Sequence, residues 1–261
     1  MSLPVVPDSF RWTAEPWGAS LRCVPMEAVA PHLFSTRQLA LTGPGDSPEL
    51  SAAVDADRVA MVSQVHGRRV VAIRDTASVP PYTTEADALI SVAPRVAVAV
   101  RAADCVPLLM ADWATGAVAA VHAGWRGTAA GIARETVEAM QREFGVKPEN
   151  LIVAIGPSIA PCCYEVGSDL VDAFAAAGHE RHLIARWFAS PPPPRGSRAR
   201  PPLRLDVAGA NRDQLVLAGV PEPQIFLSGL CTAMHLDVLT SYRAEKERAG
   251  RITGVIRAQP L

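Results

Sequence analysis

From Arg95 to Val121 the chain reads as strand, turn and strand. Arg95 to Val100 alternates valine with alanine, Leu108 to Met110 continues after Pro107, and Ala117 to Val121 returns after Trp113-Ala114-Thr115-Gly116. Short apolar runs bounded by Gly and Pro predict buried or half-buried strands. The same pattern predicts strands at Leu21 to Val24, His32 to Arg37, Val59 to Val62, Arg69 to Ile73, Asp87 to Ser91, Leu151 to Ile155, Ile225 to Leu227 and Ile252 to Ile256. Helical spacing is rarer. Ser51 to Arg58 predicts a short helix, and Ile132, Ala133, Val137, Met140 and Phe144 recur on one face of a longer one that Thr128 caps and Gly145 ends. Ser168 starts another to about Ala177, and Asp206 caps a fourth to Ala218. Strands and helices mix without a strict βαβ rhythm or an internal repeat, so the predicted class is α+β with mixed sheets.

Composition narrows the picture. With 261 residues, 49% of them hydrophobic, the chain can bury a full core, and one domain over 1–261 is expected. The net charge of −1 is spread along the chain, which argues against nucleic acid as a partner. No window approaches the roughly eighteen apolar residues of a membrane span, and the first residues lack a leader pattern, so a cytoplasmic protein without membrane contact is expected. The five cysteines have no framework spacing and no Cys-x-x-Cys pair, so disulfides and a zinc knuckle are not expected. Residues 190–202, rich in proline and arginine, predict an exposed loop.

Three metal-type side chains fall at predicted strand ends: His66, Cys105 behind Asp104, and His122 ahead of Ala123-Gly124-Trp125-Arg126-Gly127. Strand ends followed by glycine-bearing loops hold side chains firmly and leave them open to a ligand. Converging, two imidazoles and a thiolate make a three-coordinate zinc site with its fourth position open. The same trio with Cys105 as nucleophile makes a hydrolase. The bare residue types favour hydrogen-bonded structural residues over a site, but Asp104 and Arg126 beside them tilt the balance to a site. Arg37, at a strand end, is an anion-site candidate. A helix beginning just after Gly127 turns its N–H groups toward the hairpin and favours an anionic ligand. Asp87 reads as a turn or cap residue.

Several segments together carry a family resemblance. They are Gln64-Val65-His66-Gly67, Ala103-Asp104-Cys105-Val106-Pro107, His122 to Gly127, Gly156-Pro157 through Tyr164-Glu165-Val166, Ala210-Asn211-Arg212-Asp213-Gln214-Leu215, Cys231-Thr232, Ser241-Tyr242-Arg243 and Gly250-Arg251. From about Leu33 to Ile256 the chain resembles the laccase-domain family, first described as polyphenol oxidases and associated with purine nucleoside phosphorylase and adenosine deaminase activity. It departs where Gln38-Leu39 follows Arg37 in place of the family's Gly-Gly, at Leu239-Thr240 in place of an aromatic pair, and in the 190–202 loop.

The resemblance implies a four-layer α/β/β/α sandwich and zinc on His66, Cys105 and His122. It implies phosphorolysis of adenosine, inosine or methylthioadenosine, with adenosine deaminase activity beside it. Arg37, Arg126 and Arg243 are then the phosphate candidates, because guanidinium forks match phosphate oxygens. Cys105, His66 and His122 carry the reaction, and Asp104 is the carboxylate best placed to move a proton. The nucleobase-deaminase signature of His-x-Glu with Pro-Cys-x-x-Cys is absent. Copper is not expected: a trinuclear cluster plus a blue site needs more imidazoles than six histidines supply. The rival readings are a Cys-His hydrolase acting on an amide such as a peptidoglycan precursor, and a binding protein braced by zinc. A monomer or weak dimer is expected.

Overall fold

The computed structural model describes residues 3–39, 47–190 and 202–259. Elements are numbered in chain order. Among the described residues one sheet has six strands, in the order β1 (Phe10–Glu15), β2 (Gly18–Cys23), β3 (His32–Ser35), β15 (Ile252–Arg257), β7 (Val96–Ala102) and β4 (Arg58–Ala60). A second has β14 (Ile225–Leu227), β10 (Leu151–Ile155), β8 (Val106–Asp112), β9 (Val118–Ala123), β6 (Ala88–Ser91) and β5 (Val70–Ile73). Both are mixed, since β4 pairs parallel with β7, β14 with β10 and β5 with β6 while the remaining pairs are antiparallel. A small sheet joins β11 (Glu165–Val166), β13 (Leu203–Leu205) and β12 (Phe188–Ala189). The helices are α1 (Val24–Glu27), α2 (Pro48–Ala53), α3 (Trp125–Ala129), α4 (Ile132–Phe144), α5 (Asp169–Ala176), α6 (Arg181–Trp187), α7 (Val207–Leu217) and α8 (Tyr242–Glu245).

Alternation along the strands explains how these layers stack, because successive side chains leave a strand on opposite faces. Val96, Val98 and Val100 of β7 meet Leu109 and Ala111 of β8, Val118 and Ala120 of β9 and Leu89 of β6 in a cluster between the two sheets. The intervening Ala97 and Ala99 pack the other way, against Leu50 of α2 and Val54. On the far side of the second sheet, Leu108, Met110, Val121 and Ile90 meet Ile132, Val137 and Met140 of α4 and Ala210 and Leu215 of α7. The three clusters are the contacts between successive layers of helix, sheet, sheet and helix.

Strand register gathers functional segments at one end of the second sheet. Val70 pairs with Ala88, Ala88 with Val121, Val106 with Ala123, and Ile155 with both Leu108 and Leu227. The starts of β5, β6 and β8 therefore lie beside the ends of β9, β10 and β14. His66, Asp87, Cys105, His122 and the loops after Ile155 and Leu227 all belong to that end.

Two expectations need correction. The helix predicted from Thr128 to Phe144 is two helices, because Gly131 adopts a left-handed φ of 80° between α3 and α4. Glycine enters that region without the steric cost other residues bear. Gly124, not Thr128, sits at the N-cap of α3, and the Thr128 hydroxyl instead accepts from Asn211 Nδ2 at 2.9 Å. The helix end beside the hairpin is thus one short turn, and the longer helix supplies no N-terminus there. Pro107, read as a break, lies within β8 opposite His122. The small sheet and α6 were not predicted, and of the 190–202 loop, residues 191–201 lie outside the described residues.

Candidate active site

His66, Cys105 and His122 bring their ligand atoms within 4.8 Å of one another. The two imidazoles meet edge to face, with ring centroids 4.9 Å apart. His66 takes a left-handed φ of 62° in its turn. The turn is tied to the first sheet by Gln64, whose Nε2 donates to the Arg101 carbonyl at 2.7 Å while its Oε1 accepts from Arg101 N at 2.8 Å. This side chain closes the gap much as a strand neighbour would. Gly124 leaves the space that Cys105 and His66 occupy: a Cβ there would stand 2.9 Å from Cys105 Sγ and 3.0 Å from His66 Cδ2. Two nitrogens and a sulfur converging this closely fit a three-coordinate zinc site.

Asp87 organises this trio from behind. Its fully buried carboxylate accepts from His66 N at 2.9 Å, from Gly67 N at 2.6 Å and from His122 Nδ1 at 2.9 Å. A carboxylate there requires the proton on Nδ1, which leaves the His122 Nε2 lone pair for the site. Sequence reading made Asp87 a turn residue, and it does cap a turn, but the turn is that of residues 65–67. Its link to His122 was missed. The available signal was an acid set among alanines and leucine in a stretch that had to be buried, since buried acids are paired.

Charge follows from this packing. Burial alone would raise the Cys105 thiol, but hydrogen bonds from His122 and His66 outweigh it and bring it down to about 6. Burial opposes charge on His122 as well, and Asp87 together with Cys105 raises it to about 9. Without a metal, the two shifts together favour the thiolate–imidazolium form of the pair. Burial holds Cys23 up at about 12, and burial with the Cys231 and Cys163 sulfurs does the same for Cys162. In metal-free protein at neutral pH, iodoacetamide is expected to alkylate Cys105 before Cys162, with the Cys105 rate falling as pH drops through about 6. Peptide mapping against pH checks this.

The trio lies in a cleft of about 580 Å³, within the range of small-molecule sites. Arg101, Arg126, Arg243, Lys246 and Arg251 line it, against the single carboxylate of Asp104. None of the five cations forms a salt bridge among the described residues. Arg126 lies over the Trp125 ring at 4.2 Å and Arg243 over Tyr164 at 5.2 Å, so both guanidinium planes are held by aromatic faces. Burial, with the Cys105 sulfur, pushes the Tyr164 hydroxyl up to about 12, so it remains a proton donor. Asp104, at a left-handed φ of 85°, accepts from Thr232 Oγ1 and from Arg243 N, each at 2.6 Å. It therefore also clamps the Thr232 and Arg243 segments to the cleft.

The structure does not bring Arg37 to this wall. Its guanidinium donates to Glu245 Oε1 at 3.0 Å and to the Leu236 carbonyl, so it braces the segment leading to α8. Sequence reading missed Arg101, Lys246 and Arg251 as cleft residues. Arg101 ends the alternating run of β7, which was a usable signal; Lys246 carried none.

The chain belongs to the family described as multi-copper polyphenol oxidoreductase laccase, whose model matches residues 48–259. A purine nucleoside phosphorylase of Deinococcus radiodurans is 38% identical over 246 residues, covering 87% of this chain and 88% of its own length. A protein named adenosine deaminase RL5, from an unknown prokaryotic organism, is 34% identical over 215 residues, covering 80% of this chain and 78% of its own length. Among solved structures, the Bacillus licheniformis protein YfiH, titled hypothetical, matches with a TM-score of 0.80 at 25% identity, covering 97% of this chain and 100% of that one.

Proposed function

We propose that this chain is a zinc-dependent purine nucleoside phosphorylase, with adenosine deaminase activity at the same site. The observation that carries the reading is the pairing of a His-Cys-His trio with five cations in one cleft. An enzyme that only hydrolysed a neutral nucleoside has no need of that positive rim, whereas phosphorolysis brings a dianion as its second substrate. Zinc on His66, Cys105 and His122 would supply a Lewis-acid centre at the cleft floor. Arg126 and Arg243, planar and held by aromatic faces, receive the phosphate oxygens. Phosphate oxygen bonds to the anomeric carbon as the bond to the purine nitrogen breaks, and the leaving base takes a proton. The Tyr164 hydroxyl, which keeps its proton, is the group that would bring it. For deamination Asp104, as the cleft's one carboxylate, moves the proton from water to the departing amine.

We treat 1–261 as one catalytic domain, acting in the cytoplasm as a monomer or weak dimer. Among the described residues no helix is long and apolar enough to cross a membrane. The rival reading, a Cys105-His122 hydrolase, draws on the lowered thiol. Incubating purified protein with adenosine, with and without phosphate, separates them by product chromatography. Adenine and ribose 1-phosphate formed only with phosphate are expected, and inosine in either case reports the second activity. No purine turnover, with thiol-sensitive cleavage of an amide substrate, would overturn the reading.

A further inference from the structure

A second group of metal-type donors stands apart from the cleft trio. The sulfurs of Cys162, Cys163 and Cys231 lie within 4.8 Å of one another, with the Cys162 and Cys163 sulfurs 3.6 Å apart. Topology brings them together. β10 and β14 are parallel neighbours, so the loops that follow them leave the same end of the sheet. An isolated bridge between Ser158 and Cys231 then joins the loops, with Thr232 N donating to the Ser158 carbonyl at 3.0 Å. Arg204 fixes the other side by donating to the carbonyls of Pro161, at 2.8 Å, and Cys162. Cys231 is buried, Cys163 half-buried and Cys162 exposed, so the group has a rigid floor and an open face.

We propose that Cys162, Cys163 and Cys231 form a sulfur-only site for one soft monovalent ion of the copper(I) kind. Three sulfurs about 2.3 Å from a central ion stand roughly 4.0 Å from one another. The separations in the structure, 3.6 Å for one pair and at most 4.8 Å for all, bracket that value. No fourth histidine, cysteine or carboxylate joins the group among the described residues. Structural zinc takes four ligands, and oxygen-seeking ions find no carboxylate in the group among the described residues, whereas thiolates alone suit copper(I). Ala160 N donates to Cys231 Sγ at 3.4 Å, which fixes that sulfur in the loop. A disulfide between Cys162 and Cys163 is opposed by geometry, since adjacent α-carbons stand about 3.8 Å apart, closer than disulfides usually allow. Binding exchanges thiol protons for the ion, and no electron changes hands. This chemistry is distinct from the imidazole-rich blue and trinuclear centres that the histidine count argues against.

The position gives the site a consequence for the cleft. Cys163 precedes Tyr164 on the cleft wall, and Cys231 precedes Thr232, which holds Asp104. An ion joining the sulfurs therefore braces two cleft segments.

The test is anaerobic titration of the full chain with copper(I) against a copper(I)-binding chelator, using Cys105→Ala to silence the cleft trio. One equivalent is expected to stay with the protein, and X-ray absorption is expected to show sulfur neighbours only. Adding Cys162→Ser, at an exposed position, should weaken retention at least about tenfold. Wild type against Cys162→Ser repeats the comparison with Cys105 intact. Copper lost entirely to the chelator, nitrogen or oxygen in the ion's shell, retention unchanged by Cys162→Ser, or a Cys231 disulfide forming in place of uptake would each overturn the proposal.

Discussion

Cys105→Ala is expected to remove stoichiometric zinc and at least about a thousandfold of phosphorolysis, since a metal centre supplies several kcal/mol of transition-state stabilisation. Cys105 is the only sulfur of the cleft trio and the atom both imidazoles reach. Alanine leaves two nitrogens, one donor short of the three that hold a catalytic zinc. The fold should survive, because the strands on either side pair through backbone and the lost side chain is small. Elemental analysis, circular dichroism and turnover on the same preparation check all three statements. Full activity in metal-free Cys105→Ala would exclude both the phosphorylase and the hydrolase reading.

Asp87→Ala is expected to have the largest effect on stability, a loss of about 3–5 kcal/mol, because it strands several buried donors at once. His66 N, Gly67 N and His122 Nδ1 all lose their acceptor. Asp87→Asn is milder in volume, yet its amide NH2 must face a donor, so the His122 tautomer is no longer fixed. A loss of about 10–100-fold in zinc affinity is expected from it, the usual consequence of removing a carboxylate behind a ligating histidine. The pH dependence has a definite sign. Burial raises the Asp87 carboxyl, but His122 and the N–H groups of Gly67 and His66 lower it further, so its stabilisation is present above the ordinary carboxylate range. That stabilisation is lost as pH falls through the lowered value. The stability gap between wild type and Asp87→Asn should therefore be full at neutral pH and shrink in acid, as denaturant unfolding across pH would show.

Local pattern marked Cys105 and His122 beside apolar strands, but the grouping of the two with His66 came from the family resemblance, since His66 lies in the connection between β4 and β5. Asp87 was half legible: its turn role is local, but its bond to His122 depends on β6 lying next to β9. Arg37 and Arg101 look alike in sequence, each closing an apolar run. Only the tertiary structure separates them, since Arg37 meets Glu245 while Arg101 reaches the cleft beside Tyr82. The layers were legible from the alternation in β7, whose valines and alanines divide between two clusters. The helix break at Gly131 was not, because glycine inside a helical pattern marks either a tolerated residue or a left-handed stop. The Cys162, Cys163 and Cys231 group was hidden for a similar reason: no sequence spacing announces a parallel pairing of β10 with β14.

On the proposed function, one cleft holds purine nucleoside and phosphate together for attack at the anomeric carbon. Running the reaction in phosphate labelled with heavy oxygen and analysing the sugar product by mass spectrometry tests it most directly. Ribose 1-phosphate carrying the label in the oxygen bonded to the anomeric carbon is expected, and none of it from Cys105→Ala. Free ribose with its new oxygen drawn from water, and no labelled sugar phosphate, would contradict it.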